Sequence, residues 1–331
     1  MDLLHAFENG RVDVISGLPD RVVETILSRL FFFEDRIFKV YKWRNGSIGD
    51  FTDPEFRSEF FRDDFTWNVS MSPDTYVRLG FVAKRGGRYY EVHESEAEDF
   101  FIEMNRINQD EILFELLKCG KISEKDLRAT VVTMFDRLGA LTESVRDLFP
   151  DIFSIPLPEL HLMDMQSTRE WIRMTDDFPF HEEAGIVSLT LERFIASHRP
   201  FREFETKRYC ASIDNHAGNI VFSRGETKFI DSMPPMRIWR AQTPLYILSR
   251  PATDVEVLIG KELSDAMYEE YSSMTGVETD PLERSYCQAV SALIMAPYMH
   301  SLHEKELSRK YLDFAKEKIS ELDDRVSFPL L

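Results

Sequence analysis

A chain of 331 residues, 43% of them hydrophobic, is long enough to bury a sizeable core as one two-lobed domain or as two domains. Its 58 acidic residues outnumber 40 basic ones for a net charge of −18, which argues against nucleic-acid and anionic-membrane partners. No apolar run approaches the roughly 20 residues of a membrane span. Met1-Asp2-Leu3-Leu4-His5 lacks the basic start and apolar core of a secretory leader, and a cytoplasmic location is expected.

Residues 30–41 read as extended, interrupted by a turn at Glu34-Asp35-Arg36. Strand alternation puts Phe38, Val40 and Lys42 on one face and Ile37, Lys39 and Tyr41 on the other, so either lysine could point into a cleft. Residues 55–68 form an amphipathic helical stretch with Phe56, Phe60 and Trp67 as apolar positions. Residues 77–84 and 88–93 are strand-like and joined by Arg85-Gly86-Gly87, a hairpin signal. Organisation changes near residue 105, after which helical patterns dominate, over 110–119, 124–138 and 141–148. Pro156-Leu157-Pro158-Glu159-Leu160 marks a loop between helices, and Asp164, Asp176 and Asp177 near it read as solvated caps and turn residues. Cys119, Cys210 and Cys287 are too few and too scattered for a disulfide framework or zinc site and are expected as buried thiols. The last third is helical over 251–275, 281–300 and 304–322. The expected organisation is a small mixed N-terminal lobe, 1–104, and a larger, mainly helical lobe, 105–331: an α+β fold.

Chemistry concentrates in one stretch. Asp214-Asn215-His216-Ala217-Gly218-Asn219 precedes a hairpin, 220–222 and 228–230, joined by Ser223-Arg224-Gly225-Glu226, and Asp231 follows it. An Asp can orient or deprotonate an attacking hydroxyl, an Asn five residues on can hold a metal ion, and a later Asp at a strand end can hold a second one. Asp214, Asn219 and Asp231 fill those three positions.

The segment 214–219 resembles the H-G-D-x-H-x-x-N motif of aminoglycoside phosphotransferase-like kinases, which have a protein-kinase-like fold. Residues 32–42 are similar to the F-L-T-G-D-R-V-Y-K-L-K-K segment of a bacterial subgroup whose members often carry a separate C-terminal P-loop domain; no G-x-x-x-x-G-K-[ST] occurs in this chain. The likeness continues through Asp50-Phe51-Thr52, Glu55, Asn68 and Pro73-Asp74, and runs from about Ile26 to about Leu302. It implies ATP and Mg²⁺ as cofactors, with Asp214 as the catalytic residue facing a hydroxyl of a small acceptor. Asn219 and Asp231 become metal ligands. Lys39 becomes the phosphate lysine, paired with Asp64, with Asp63 and Glu59 as alternates. Phe101-Ile102-Glu103-Met104 resembles the A-V-x-M hinge between lobes, which makes Ile102 and Met104 nucleotide-binding positions. Gly120-Lys121-Ile122-Ser123 matches a helix start, and Asp254 is expected to cap a helix and brace the catalytic loop. His216 is expected to hydrogen-bond structurally within its loop.

The chain departs from the pattern in three places. Ser212 and Ile213 stand where the family has His and Gly before the catalytic Asp. Ser232-Met233-Pro234-Pro235 replaces C-I-E-F after Asp231, and residues 30–35 contain no glycine-rich loop. These changes keep open the alternative of a pseudokinase that binds nucleotide or a partner protein without turnover. The missing activation-segment signature after Asp231 disfavours protein phosphorylation. The oligomeric state is left open.

Overall fold

The computed structural model describes residues 2–46, 48–148, 150–197, 208–211, 214–223 and 225–323. They form two compact units, Met1–Glu111 with Val221–Pro235, and Ile112–Ile220 with Met236–Leu331. The first unit therefore reaches past the expected boundary at 104 and also takes in the hairpin after Asn219. The reason is hydrogen bonding: the Arg106 amide donates to the Asp35 carbonyl, and the Phe229 amide donates to Ser72 Oγ.

Up to Glu111, the described residues of the first unit form eight strands and two α-helices. The strands are β1 (Arg21–Glu24), β2 (Ser28–Phe32), β3 (Arg36–Tyr41), the two-residue β4 (Asn45–Gly46) and β5 (Gly49–Asp50), β6 (Tyr76–Arg85), β7 (Arg88–Glu91) and β8 (Asp99–Asn105). Six of them make one sheet in the order β1-β2-β3-β8-β6-β7, with every neighbouring pair antiparallel. Helix α1 (Leu3–Glu8), capped by Asp2, buries Leu3, Leu4, Ala6 and Phe7 against it. So short a helix gives no usable periodicity, and the sequence reading missed it.

Every β3 residue from Ile37 to Tyr41 is buried, because both faces of the strand are covered. Phe38 and Val40 enter the core beneath α1, where the Phe38 ring lies 5.3 Å from Phe7 and 5.5 Å from Phe101. Tyr41 faces the other way, 5.0 Å from Phe60 and 4.8 Å from Phe61 on helix α2 (Pro54–Met71). Burying each such ring removes a side chain worth roughly 1.5–3 kcal/mol of transfer free energy from water. Alternation then places Lys39 on the α2 side of the sheet. Helix α2 starts at Asp53, whose carboxylate accepts the Glu55 amide, with Pro54 in the first turn. It is locked to the sheet by Arg57, which is buried and donates to Asp99 Oδ1 (2.8 Å) and the Tyr41 carbonyl (2.7 Å).

The second unit is mainly helical. Residues 124–138 and 141–148, read as two helices, are largely one, Glu124–Val145, opened by a capping box between Ser123 and Asp126. Gly139 sits inside it without ending it, since helical pattern on both sides outweighs the roughly 1 kcal/mol an interior glycine costs. Two expectations fail for a common reason, that proline was read as a break. Pro156 caps helix Leu157–Met174, so most of the expected loop is its first turn. Pro251 lies inside helix Pro244–Leu258, which starts at Thr243-Pro244, and the break comes at Gly260, φ +141, before helix Lys261–Thr275. Asp164, expected to be solvated, is fully buried and accepts a hydrogen bond from Tyr246 Oη. Cys210 and Cys287 are buried as expected, whereas Cys119 is exposed. Helices Pro281–Ser301 and Lys305–Asp323 complete the unit. Among the described residues no helix is long and apolar enough to cross a membrane.

Candidate active site

In the first unit, the amine of Lys39 sits between two carboxylates. It donates to Asp231 Oδ1 at 2.5 Å and stands 3.1 Å from Asp64 Oδ2. The two acids differ in surroundings: the Lys39 and Asp64 side chains are 6% and 1% exposed, whereas that of Asp231 is 56% exposed. Of the three candidate acids on α2 it is Asp64 that meets the lysine, and the packing of Phe60 and Phe61 on Tyr41 brings the helix close enough for the shorter aspartate to reach. Lys42 points elsewhere, to the Thr25 carbonyl and Glu24. Burial works to lower the Lys39 pKa, but Asp231 and Asp64 outweigh it and hold the ammonium well above the ordinary lysine value. Asp64 is pushed up from the usual carboxylate range by burial, opposed chiefly by Lys39.

Residues absent from the sequence-derived list complete this cluster. Tyr41 Oη donates to Asp64 Oδ2 at 2.8 Å, and Asn68 Nδ2 donates to Asp64 Oδ1 at 2.6 Å. Tyr76 Oη accepts the Asp231 amide at 2.8 Å, and Asn68 Oδ1 accepts the Ser232 amide at 2.7 Å. The available signal was Asp64 and Asn68, two polar residues one helical turn apart on a face whose other buried members are Arg57, Phe60, Phe61, Trp67 and Met71.

In the second unit the loop ends in a turn, Ala217–Asn219, that leads into the hairpin strand beginning at Ile220. Asn219 Nδ2 donates to the Asp214 carbonyl at 2.8 Å, which fixes the amide's orientation and leaves Oδ1 as the end for a cation. His216 Nδ1 accepts the Gly218 amide at 3.1 Å. Asp254 is buried in mid-helix rather than at a helix start, so it does not cap. Its carboxylate accepts the Ala217 amide at 2.6 Å and Tyr311 Oη at 2.7 Å, bracing the loop. Ser212 and Ile213 lie outside the described residues, as does Arg224 of the hairpin turn.

The structure thus brings together Lys39, Asp64 and Asp231 in one unit and Asp214 and Asn219 in the other. Ile102 is fully buried in β8 opposite Lys39 and Leu79, and Met104 is buried opposite Ile37 and Tyr76. An open cavity of about 1030 Å³ in the first unit lies where β8 ends, lined by Phe32, Asn105, Arg106 and Lys228 among others. Among the described residues no three His, Cys, Asp or Glu side chains converge as a metal site. A carboxylate such as Asp231, half in solvent, and an amide oxygen are the hard donors that suit Mg²⁺, which commonly takes one or two protein ligands and completes its shell with phosphates and water.

No protein-family model matches the sequence, and no curated protein matches it. Solved structures do resemble it. A choline/ethanolamine kinase family protein from Mesorhizobium loti matches at 12% identity and TM-score 0.51, covering 98% of this chain and 95% of that one. The GDP complex of aminoglycoside 2′-phosphotransferase-IIIa matches at 10% identity and TM-score 0.55, with coverages of 94% and 95%. Choline kinase from Cryptosporidium parvum matches at 11% and 0.55, with coverages of 92% and 90%. At these identities the likeness speaks for architecture: the chain has the α+β, kinase-like fold shared by choline kinases and aminoglycoside phosphotransferases.

Proposed function

We propose that the chain is an ATP-dependent phosphotransferase acting on a hydroxyl of a small molecule. The observation that carries this reading is the buried Lys39, charged and directed by Asp64 toward the half-exposed Asp231 on a kinase-like fold. In this reading Lys39 neutralises the nucleotide's α/β-phosphates, Asp231 and Asn219 are the Mg²⁺ ligands, and Asp214 orients the acceptor hydroxyl and takes its proton. Ile102 and Met104 are the nucleotide-facing positions of β8. The metal, when bound, offsets charge on the transferring phosphoryl group. The fixed side chains act by positioning and charge stabilisation, so loss of Asp214 or Asp231 removes nearly all turnover. The neighbours support the class: two are choline kinase proteins, and the phosphotransferase was solved with GDP.

The test is a thermal-shift titration of the native chain and Asp231→Ala with ATP and Mg²⁺. Stabilisation of the native chain alone, growing with nucleotide as mass action requires, supports the reading. No response from either at millimolar nucleotide overturns it. A second reading, nucleotide binding without turnover, draws on Ser232-Met233-Pro234-Pro235, which brings no acid after Asp231. Binding of MgATP with no phosphorylated product from any acceptor tried would select it.

A further inference from the structure

From the end of strand Glu226–Phe229 onward, the backbone around Asp231 is held by side chains. The amides of Phe229, Asp231 and Ser232 donate to Ser72 Oγ (2.7 Å), Tyr76 Oη (2.8 Å) and Asn68 Oδ1 (2.7 Å). The three acceptors recur every fourth residue, from the last turn of α2 through its cap to the first residue of β6, and all three are buried. Between them Asp231 adopts φ +49, in the left-handed region that a non-glycine residue keeps only when its surroundings impose it.

Asn68 has no freedom to flip. A backbone amide can only donate, so Asn68 must turn its oxygen to Ser232, and its nitrogen then donates to Asp64 Oδ1 (2.6 Å) and to the Asp64 carbonyl (2.9 Å). One side chain therefore fixes both the partner of Lys39 and the residue next to Asp231. Resting on the proposed reading of Asp231 as a metal ligand, we propose that Asn68, Ser72 and Tyr76 are positioning residues. They form a rail that aims the Asp231 carboxylate at a divalent cation, and Asn68 couples it to the Lys39–Asp64 pair.

The test is calorimetric titration of the full chain with ATP, once with Mg²⁺ and once with EDTA, for the native protein, Asn68→Leu and Tyr76→Phe. The native chain is expected to bind MgATP more tightly than metal-free ATP. Tyr76→Phe should lose about tenfold or more of that metal-dependent gain while keeping metal-free affinity, as outer-sphere supports of a metal site do, and Asn68→Leu, which also releases the partner of Lys39, should lose more MgATP affinity than metal-free affinity. A purely structural role would lower melting temperature and weaken both affinities alike, or leave the metal-dependent gain intact, and either result overturns the proposal. Should Asn68→Leu fail to fold, Tyr76→Phe decides, since it deletes one oxygen and keeps the ring. A native chain with no metal-dependent gain overturns the Asp231 reading itself, and the rail with it. Intact native gain with unaffected variants sinks the rail alone.

Discussion

Replacing Lys39 by methionine should cost far more stability than replacing Asp231 by asparagine, although both changes remove one member of the same ion-paired group. The asymmetry follows from burial. Asp64 is 1% exposed and would be left with a desolvated charge facing only Tyr41 Oη and the Asn68 amide. Removing one partner of a buried pair costs about 3–5 kcal/mol, chiefly through the orphaned charge. The Asp231 carboxylate is 56% exposed, and after its loss the buried Lys39 keeps Asp64 at 3.1 Å, so the cost should stay well below that figure. Urea unfolding followed by Trp43 and Trp67, the tryptophans of the first unit, would measure both. Lys39→Met/Asp64→Leu should recover much of the loss, since an apolar pair of similar volume replaces a buried ion pair at little net cost. A Lys39→Met protein within about 1 kcal/mol of native, or a double variant no more stable than the single, would refute this reasoning. In practice, Asp231 is the position at which a loss of the proposed activity can be read without a loss of fold.

Three further outcomes are expected. On helix Leu157–Met174, burial pushes Asp164 up to about 6, opposed by its hydrogen bond from Tyr246, while burial, aided by Arg208, pushes His161 down to about 3. As pH falls from 6 toward 4, the folded state binds a proton at Asp164 that the unfolded chain lacks, and the unfolded chain binds one at His161 that the fold refuses. The two effects oppose, so Asp164→Asn should steepen acid destabilisation by up to about 1.4 kcal/mol per pH unit in that window, read from urea midpoints; an unchanged slope would count against the buried pair. Asp254→Ala leaves the Ala217 amide and Tyr311 Oη without their acceptor; destabilisation by at least about 2 kcal/mol and faster exchange of the Ala217 amide hydrogen are expected. Gly80→Ala would drive a Cβ into the tip of the Phe101 ring, so a loss of about 1–3 kcal/mol should appear in thermal melts.

What could be read from the sequence followed the range of the interactions involved. The hairpin at Gly86-Gly87, α2 and the last two helices carry local periodicity and turn chemistry, and they stand near where those signals put them. β1 escaped because Arg21 to Glu24, exposed apart from the half-buried Val23, do not alternate. Asp164 escaped because a lone aspartate says nothing of the tyrosine 82 positions away that shields it. The site divided in the same way. Asp231 came from its place after the hairpin and Lys39 from register with a family, whereas Asn68, Ser72 and Tyr76 act on backbone amides more than 150 residues distant, a pairing no local pattern encodes.

That distance has a temporal side. The first unit is closed by Val221–Pro235, which leaves the ribosome some 110 residues after Glu111, or roughly 5–20 s later at ordinary synthesis rates. Throughout that interval the sheet and α2 can form while Asn68 Oδ1, Ser72 Oγ and Tyr76 Oη have no backbone amide to receive and Lys39 has only one of its two acids. The nascent N-terminal segment is thus a folding substrate with three vacant acceptors and a buried lysine held by a single acid at its centre, and the arrival of Asp231 is what completes it.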